Sequence, residues 1–233
     1  RVLRMVVCRL NSHECVLLFE SPVDSARFIS VVVEVAFLGV DGKPALIRDG
    51  YATNQYRFDE RGNIIERAFF GVDGKPTLHK YGYATWRDAY DVHGNKIKRA
   101  YFGVDGKPVL MKDGYASWQD KVDDRGNIIE TAFFGLDGKP TLHRNGYAGY
   151  RDKFDDRGNK IEPAYFGVDG KPKLHKDRYA GYRDKFDDRG NIIETAYFGV
   201  DGMRTLRKEG FSGFRTSFDD RGNIIERGFF GVD

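Results

Sequence analysis

A repeat of about 32 residues constrains the fold of this chain more than any other feature of its sequence. Its clearest phrase is Phe-Gly-Val-Asp-Gly-Lys-Pro, and the spacing between copies is 33 residues once and 32 residues five times. Intact or diverged copies begin at Phe37, Phe70, Phe102, Phe134, Phe166, Phe198 and Phe230. A period of this size predicts an array in which each unit packs mainly on its neighbours.

A second phrase, Asp-(Asp/Glu)-Arg-Gly-Asn, lies between the copies of the first. It occupies residues 59–63, 123–127, 155–159, 187–191 and 219–223, with a variant at 91–95. Asp-Gly between apolar runs predicts a type I′ hairpin turn. The second phrase predicts a type I turn followed by a G1 bulge, with its glycine in the left-handed region.

The intervening segments predict strands. Turns recur about every dozen residues, which leaves no room for a helix of ordinary length. Segments such as 179–186 and 191–198 are rich in aromatic and β-branched residues, which favour strands. In an antiparallel sheet, an odd number of strands per unit would reverse the chain direction from one copy to the next, so we expect an even number. We expect two long strands per unit, with the Lys-Pro-x-Leu piece as a short return segment. A unit of four strands is the open alternative.

The predicted fold class is therefore all-β, an antiparallel β-hairpin repeat array that forms a rod-like solenoid or spiral sheet. A β-propeller of seven short blades is the alternative. We expect residues 1–36 to be a diverged N-terminal cap repeat and residues 37–233 to be six repeats plus the start of a seventh. Because the chain begins at Arg1 and ends inside the repeated phrase, we also expect a segment of a longer array.

Positions that stay apolar from copy to copy predict the core. They include the phenylalanine that opens each phrase and the aromatic residue before it. The other columns are a leucine column (46, 78, 110, 142, 174, 206), an isoleucine column (65, 97, 129, 161, 193, 225), an aromatic column (51, 83, 115, 147, 179, 211) and a large apolar column (58, 90, 122, 154, 186, 218). The column at 64, 96, 128, 160, 192 and 224 varies between Ile and Lys, which predicts a face toward water.

The composition excludes several classes of protein. The 233 residues carry a formal net charge of +3 with both signs mixed along the chain, so no nucleic-acid partner is expected. No apolar run reaches the roughly 18 residues that a membrane helix needs, so no membrane span is expected. A content of 40% hydrophobic and 14% aromatic residues excludes a disordered chain. With only Cys8 and Cys15, the chain is neither a disulfide scaffold nor a cysteine-based zinc module.

The titratable residues predict structure more than chemistry. His79, His143 and His175 share one column, but that column also holds Ile47, Met111 and Arg207, so a solvated strand face is favoured over a metal site. The paired aspartates of the second phrase are expected to cap their own turns rather than to bind calcium. We therefore expect no cofactor.

We also expect no enzymatic activity. Catalysis needs a unique constellation of groups, and here every candidate acid or base recurs about every 32 residues. No nucleophile elbow, phosphate loop or dinucleotide fingerprint occurs in the sequence.

One column of aromatic residues is a candidate binding surface. It contains Trp86, Trp118, Tyr150, Tyr182 and Phe214. Arg87, Arg151 and Arg183 follow three of these residues directly. Rings edged by arginine could stack sugar rings along a groove. The alternative interpretation is that this is one more core column with polar neighbours.

The segment from Phe186 to Ile193, running on to Gly199, resembles the tyrosine-aspartate repeat of the bacterial Rhs and teneurin proteins. Matching stretches begin at Phe58, Tyr90, Phe154 and Phe218, and at Val122 without the aromatic residue. The resemblance implies an antiparallel sheet that spirals into a shell or rod, in large surface or secreted bacterial proteins, with no catalytic residues. The chain departs from that family in its longer period and in the Phe-Gly-Val-Asp-Gly-Lys-Pro phrase.

The sequence thus predicts a non-catalytic structural or interaction module, such as a stalk, fibre segment or scaffold of a larger bacterial protein. The resemblance favours an extracellular or cell-surface location. Expected partners are a second copy of the chain in end-to-end assembly or another protein, with a glycan as a further option. The alternative function is a carbohydrate-binding repeat module that uses the aromatic column.

Overall fold

A computed structural model describes residues 2–9, 15–20 and 31–232 of the chain. The described residues form 15 β-strands and no helix, which confirms the all-β class. The strands are β1 (Val2–Arg9), β2 (Cys15–Glu20), β3 (Val31–Leu38), β4 (Thr53–Phe58), β5 (Ile64–Phe70), β6 (Thr85–Tyr90), β7 (Lys96–Phe102), β8 (Ser117–Val122), β9 (Ile128–Phe134), β10 (Gly149–Phe154), β11 (Lys160–Phe166), β12 (Gly181–Phe186), β13 (Ile192–Phe198), β14 (Gly213–Phe218) and β15 (Ile224–Phe230).

Each repeat contributes two long strands that form an antiparallel hairpin, as predicted. In the hairpin β12–β13, the paired positions run from Gly181 with Phe198 to Phe186 with Ile192, and the register shifts by one residue next to the turn. The short Lys-Pro segment returns to the sheet through one isolated bridge per repeat, for example between Phe166 and Pro172. The unit therefore holds two strands and a short return segment, and the four-strand alternative is wrong.

Three turns per repeat share one geometry, and this corrects the prediction for Asp-Gly. In the turn from Gly71 to Lys75, the amide of Gly74 donates to the carbonyl of Gly71 (3.1 Å) and the amide of Gly71 donates to the carbonyl of Lys75 (2.9 Å). Gly74 has a φ of 73°, whereas Asp73 is not among the residues with positive φ. A type I′ turn needs positive φ at both positions. The three-residue loop instead places one left-handed glycine before a bulge, the arrangement that the second phrase was predicted to adopt and does adopt.

Contacts divide the chain into two compact units. The N-terminal unit comprises Arg1–Lys112 and Ala116–Trp118. Its strand order is β7-β6-β5-β4-β3-β1-β2. All of these neighbours are antiparallel except β1 and β3, which run parallel and interrupt the hairpin pattern. The predicted cap, residues 1–36, lies partly outside the described residues.

The C-terminal unit comprises Asp113–Tyr115 and Gln119–Asp233. Strands β9 to β15 follow one another in sequence order, and every neighbouring pair is antiparallel. Each unit therefore contains a continuous open sheet of seven successive strands. A propeller needs separate blades of about four strands, so the propeller alternative is wrong.

The core of each unit is a row of aromatic rings, here called the aromatic stack. In the N-terminal unit, it runs through Tyr51, Phe69, His79, Tyr83 and Tyr101, with successive ring centroids 4.7 to 5.2 Å apart. The C-terminal unit has its own aromatic stack, with spacings of 4.5 to 6.1 Å, which consists of Tyr115, Phe133, His143, Tyr147, Tyr165, His175, Tyr179, Tyr197, Phe211 and Phe229. The two predicted aromatic columns are thus confirmed as core, except at Phe229 in the last strand, which is 60% exposed. Such ring pairs add to stability beyond the area that they bury.

Several columns differ from the prediction. The isoleucine and large apolar columns, predicted as core, have no buried member among the described residues, and in the phenylalanine column only Phe166 is buried. The leucine column is not core, because its side chains are 42–56% exposed. Leu78 and its equivalents lie in the connection beyond the Pro bridge, outside the strands that form the buried face. The three histidines at 79, 143 and 175, predicted to face solvent, instead lie in the aromatic stack with side chains only 8–12% exposed. A column of small residues that the sequence did not single out is also buried, at Ala52, Ala84, Ala116, Ala148, Ala180 and Ser212.

Candidate functional site

The predicted aromatic binding column lies beside the aromatic stack. Trp86 is 8% exposed, and the guanidinium of Arg99 covers its ring at 4.1 Å from the centroid. Tyr182 contacts the rings of Tyr179 and Tyr197 at 6.3 and 6.2 Å. The remaining members, Trp118, Tyr150 and Phe214, are half-buried. These surroundings are those of a core column. Binding of a glycan to this column stays a prediction.

The arginines predicted to edge that column are engaged with the preceding strand. The Nε of Arg87 lies 2.6 Å from Glu66 Oε2, and Arg151 Nε lies 2.6 Å from Glu130 Oε2. Arg183 is the exception, because its Nε lies 3.5 Å from Glu162 Oε2. All three arginine side chains are more than half exposed, so each pair contributes no more than about 1 kcal/mol.

These arginines also cover the phenylalanines that open the repeated phrase. Arg87 lies 4.5 Å from the ring centroid of Phe102, and Arg151 lies 4.4 Å from that of Phe166. Arg183 lies 4.5 Å from the ring of Phe198. The arginines therefore join neighbouring strands through an ion pair on one side and a cation–π contact on the other.

A column of buried aspartates follows the arginines, and the sequence did not identify these residues as buried. Asp88 accepts two hydrogen bonds of 2.7 Å from Arg99, a bidentate pair, and Lys96 lies 3.1 Å away. Asp120 accepts from the hydroxyl of Thr131 at 2.6 Å. The signal that could have found this column is the residue directly opposite on the next strand, which is Arg or Thr in most copies.

Burial dominates the electrostatics of this column. It raises the pKa of Asp120 and of Asp184, against the opposing effect of a hydrogen bond from a threonine hydroxyl. It also raises the pKa of Asp152, where Lys160 acts in the opposite direction. These carboxyl groups are therefore held in the fold at an energetic cost when they are ionised.

The first aspartate of the second phrase caps its own turn, as predicted. Asp187 Oδ1 accepts hydrogen bonds from the amides of Arg189 and Asn191 at 2.9 and 2.8 Å, and its Oδ2 accepts from Asn191 Nδ2 at 2.9 Å. The side-chain hydrogen bond from Asn191 lowers the pKa of Asp187, and the backbone amides add to this effect. Both carboxylate oxygens are thus committed to the turn.

The arginine of the second phrase connects one repeat to the next. Arg189 Nη1 donates to the carbonyl of Asp220 at 2.6 Å, and Arg157 Nη2 donates to Asp188 Oδ1 at 3.0 Å. A parallel link runs through the backbone, where the amide of Lys176 donates to the carbonyl of Asn145 at 2.8 Å. Corresponding turns of successive repeats therefore bind each other directly.

The buried histidines have a structural environment. His143 lies in the aromatic stack between Phe133 and Tyr147, and its Nδ1 accepts the amide of Asn145 at 3.1 Å. Burial lowers the pKa of His143, an effect that the neighbouring Asp113 only partly offsets. Within residues 2–9, 15–20 and 31–232, no group of three or more His, Cys, Asp or Glu side chains is placed to hold a metal ion.

The arrangement as a whole joins strands and turns of adjacent repeats through ion pairs, carboxylate caps and stacked rings. In the described repeats, these charged side chains form ion pairs with one another or hydrogen bonds with the backbone. In the part of the chain that the structure describes, no helix is long and apolar enough to cross a membrane.

Comparisons with known proteins give limited similarity. No protein-family model and no curated protein matches the chain. Among solved structures, a chain of the Photorhabdus luminescens Tc holotoxin pore is 14% identical with a TM-score of 0.36, over 79% of this chain and 9% of that one. A chain of the TcdB2-TccC3-TEV crystal structure is 12% identical with a TM-score of 0.30, over 92% of this chain and 12% of that one. This chain therefore spans about a tenth of the length of each.

Proposed function

We propose that this chain is a non-catalytic structural repeat module of a larger bacterial protein, which extends a β-sheet and presents it to protein partners. The observation that carries the proposal is that the polar side chains repeated from copy to copy bind the turns and neighbouring repeats of the chain itself. Asp187 caps its own turn, and Arg189 reaches the carbonyl of Asp220 in the next repeat. The bacterial setting rests on the resemblance of these turns to tyrosine-aspartate repeats.

Deletion of one whole repeat tests this function. Removal of residues 167–198 joins Phe166 to Gly199 and so restores the repeated phrase across the junction. Because each unit packs mainly on its neighbours, we expect a shorter protein with the same circular dichroism per residue and cooperative unfolding. The matched control removes half a repeat, residues 167–182, which breaks the hairpin and should leave the remaining chain unable to pair its strands. If the whole-repeat deletion unfolds the chain as the half-repeat deletion does, the proposal is wrong.

The edge strand β15 supports a protein partner. Ile225 and Phe229 are 67% and 60% exposed, whereas their equivalents Ile193 and Tyr197 are half-buried and buried beside the next strand, β14. A further strand that pairs with β15 would cover both side chains, as β14 covers β13. We propose that, when this 233-residue chain is isolated, a second copy of it supplies such a strand. Sedimentation should then show concentration-dependent mass that Ile225→Lys abolishes, and a constant monomer mass would exclude self-assembly.

A further inference from the structure

The hairpins of the C-terminal unit each pair a glycine with the phenylalanine of the repeated phrase. The cross-strand pairs are Gly149 with Phe166, Gly181 with Phe198 and Gly213 with Phe230. A Cβ atom added to Gly149 would lie 2.3 Å from Cζ of Phe166, and one added to Gly213 would lie 2.3 Å from Cζ of Phe230. At these two positions, the phenyl ring therefore lies in the notch that the glycine leaves.

The third notch is open. A Cβ atom added to Gly181 would meet Pro163 O at 2.7 Å, Ala164 Cα at 3.3 Å and Ala164 Cβ at 3.6 Å, so every atom of Phe198 is farther away than these. A cleft of about 210 Å³ occupies this place. Its lining includes Phe166, Pro172, Gly181 and Phe198, with Arg151 and Arg183.

Pro163 accounts for the opening. Strands β11 and β12 share only the pair Ala164–Gly181, whereas β9–β10 and β13–β14 each share three residue pairs. The equivalents of Pro163 in those two strand pairs are Thr131 and Thr195. Proline cannot donate the amide hydrogen that a ladder needs.

The contacts of Asp152 and Arg183 also differ from those of their equivalents in the neighbouring repeats. Asp152 faces Pro163 across the strand pair, and its buried Oδ1 has no hydrogen-bond partner, whereas Asp120 and Asp184 have a threonine hydroxyl at this point. The distance from Arg183 Nε to Glu162 Oε2 is 3.5 Å, compared with 2.7 Å for the equivalent pair of Arg215 and Glu194. The strands are therefore looser at this repeat than at its neighbours.

We propose that the cleft above Gly181 binds a phenylalanine side chain of a protein partner. The chain itself shows what this notch accepts, because a phenyl ring fills both equivalent notches. The volume suffices, since an apolar cavity of about 150 Å³ can hold benzene. Phe166 and Phe198 both line the cleft, and buried aromatic side chains are frequent anchors of protein interfaces.

Titration with N-acetyl-L-phenylalanine amide, followed by two-dimensional NMR of the 15N-labelled chain, tests the proposal. We expect saturable shifts at the amides of Ala164, Gly181 and Phe198, with a dissociation constant in the millimolar range. N-acetyl-L-leucine amide should bind at least fivefold more weakly, because it lacks the ring. Benzyl alcohol, which offers the ring without the peptide group, should also bind at least fivefold more weakly.

Two variants give the matched controls. Pro163→Thr restores the residue of the neighbouring repeats, so the ladder closes, the ring of Phe198 moves onto Gly181, and binding falls at least tenfold. Val200→Asp changes an exposed residue of the cleft lining without altering the strands, and it should weaken binding severalfold. Unchanged binding in either folded variant would overturn the proposal, as would equal binding of the leucine amide. Equal binding of benzyl alcohol would assign the cleft to small aromatic molecules instead of a protein partner.

Discussion

Arg178 occupies a position that is glycine in every other described copy of its turn. Its φ is 75°, in the left-handed region, and the equivalent Gly50, Gly114 and Gly146 have φ values of 94°, 91° and 95°. The turn keeps its hydrogen bond, because the amide of Arg178 donates to the carbonyl of His175 at 2.9 Å. Arg178 therefore adopts a backbone conformation that its Cβ atom disfavours.

Arg178→Gly should stabilise the protein. The left-handed conformation costs a non-glycine residue about 1–2 kcal/mol, and glycine adds about 0.4–1 kcal/mol of unfolded-state entropy. Arg178 is exposed, so loss of its side chain removes little packing. We expect a net gain of about 1 kcal/mol in the free energy of unfolding, measured by urea denaturation, and a Tm higher by about 3 °C.

Lys176→Gly is the matched control for this prediction. Lys176 is an exposed residue of the same turn without a positive φ, so glycine brings only its entropic cost, about 0.5–1 kcal/mol of destabilisation. The reasoning is refuted if both substitutions destabilise to the same extent, because the left-handed backbone at Arg178 would then carry no strain.

Three further substitutions test the buried and capping charges. Burial raises the pKa of Asp184, so its protonated form contributes stability below pH 3.8 that is lost as pH rises through the folded pKa. Asp184→Asn should therefore raise stability at pH 7, with the gain over the native chain vanishing near pH 3. Asp187→Ala should lower Tm at pH 7. Because hydrogen bonds from Asn191 lower the pKa of Asp187, a series of thermal melts should show this loss of Tm disappearing as the pH falls below 3.8. Arg99→Met leaves Asp88 buried beside Lys96 alone and should cost about 3 kcal/mol in urea denaturation, and the double variant with Asp88→Asn should recover part of that loss.

The repeat, the two-stranded hairpin and the capped turns could be predicted from the sequence alone. These features are local, since the aspartate, glycine and asparagine of 187–191 satisfy one another within five residues. The aromatic columns were also predictable, because large rings that recur within the strand segments favour the core. Agreement among copies was not enough for the leucine column, which is exposed. The type I′ prediction for Asp-Gly is wrong because the dipeptide does not specify the length of the loop. Here the backbone hydrogen bond between Gly71 and Lys75 closes a three-residue loop.

Which repeated positions are buried, and where the repeats differ, depends on contacts that form only in the folded chain. His143 is buried because tyrosines of two neighbouring segments enclose it, and Leu142, one residue earlier, remains exposed in the connection. The opening at Gly181 depends on Pro163, which is distant in sequence and adjacent across the ladder. Comparison of the copies along the chain shows which residues they share. Burial and clefts depend in addition on which neighbouring strand covers each position.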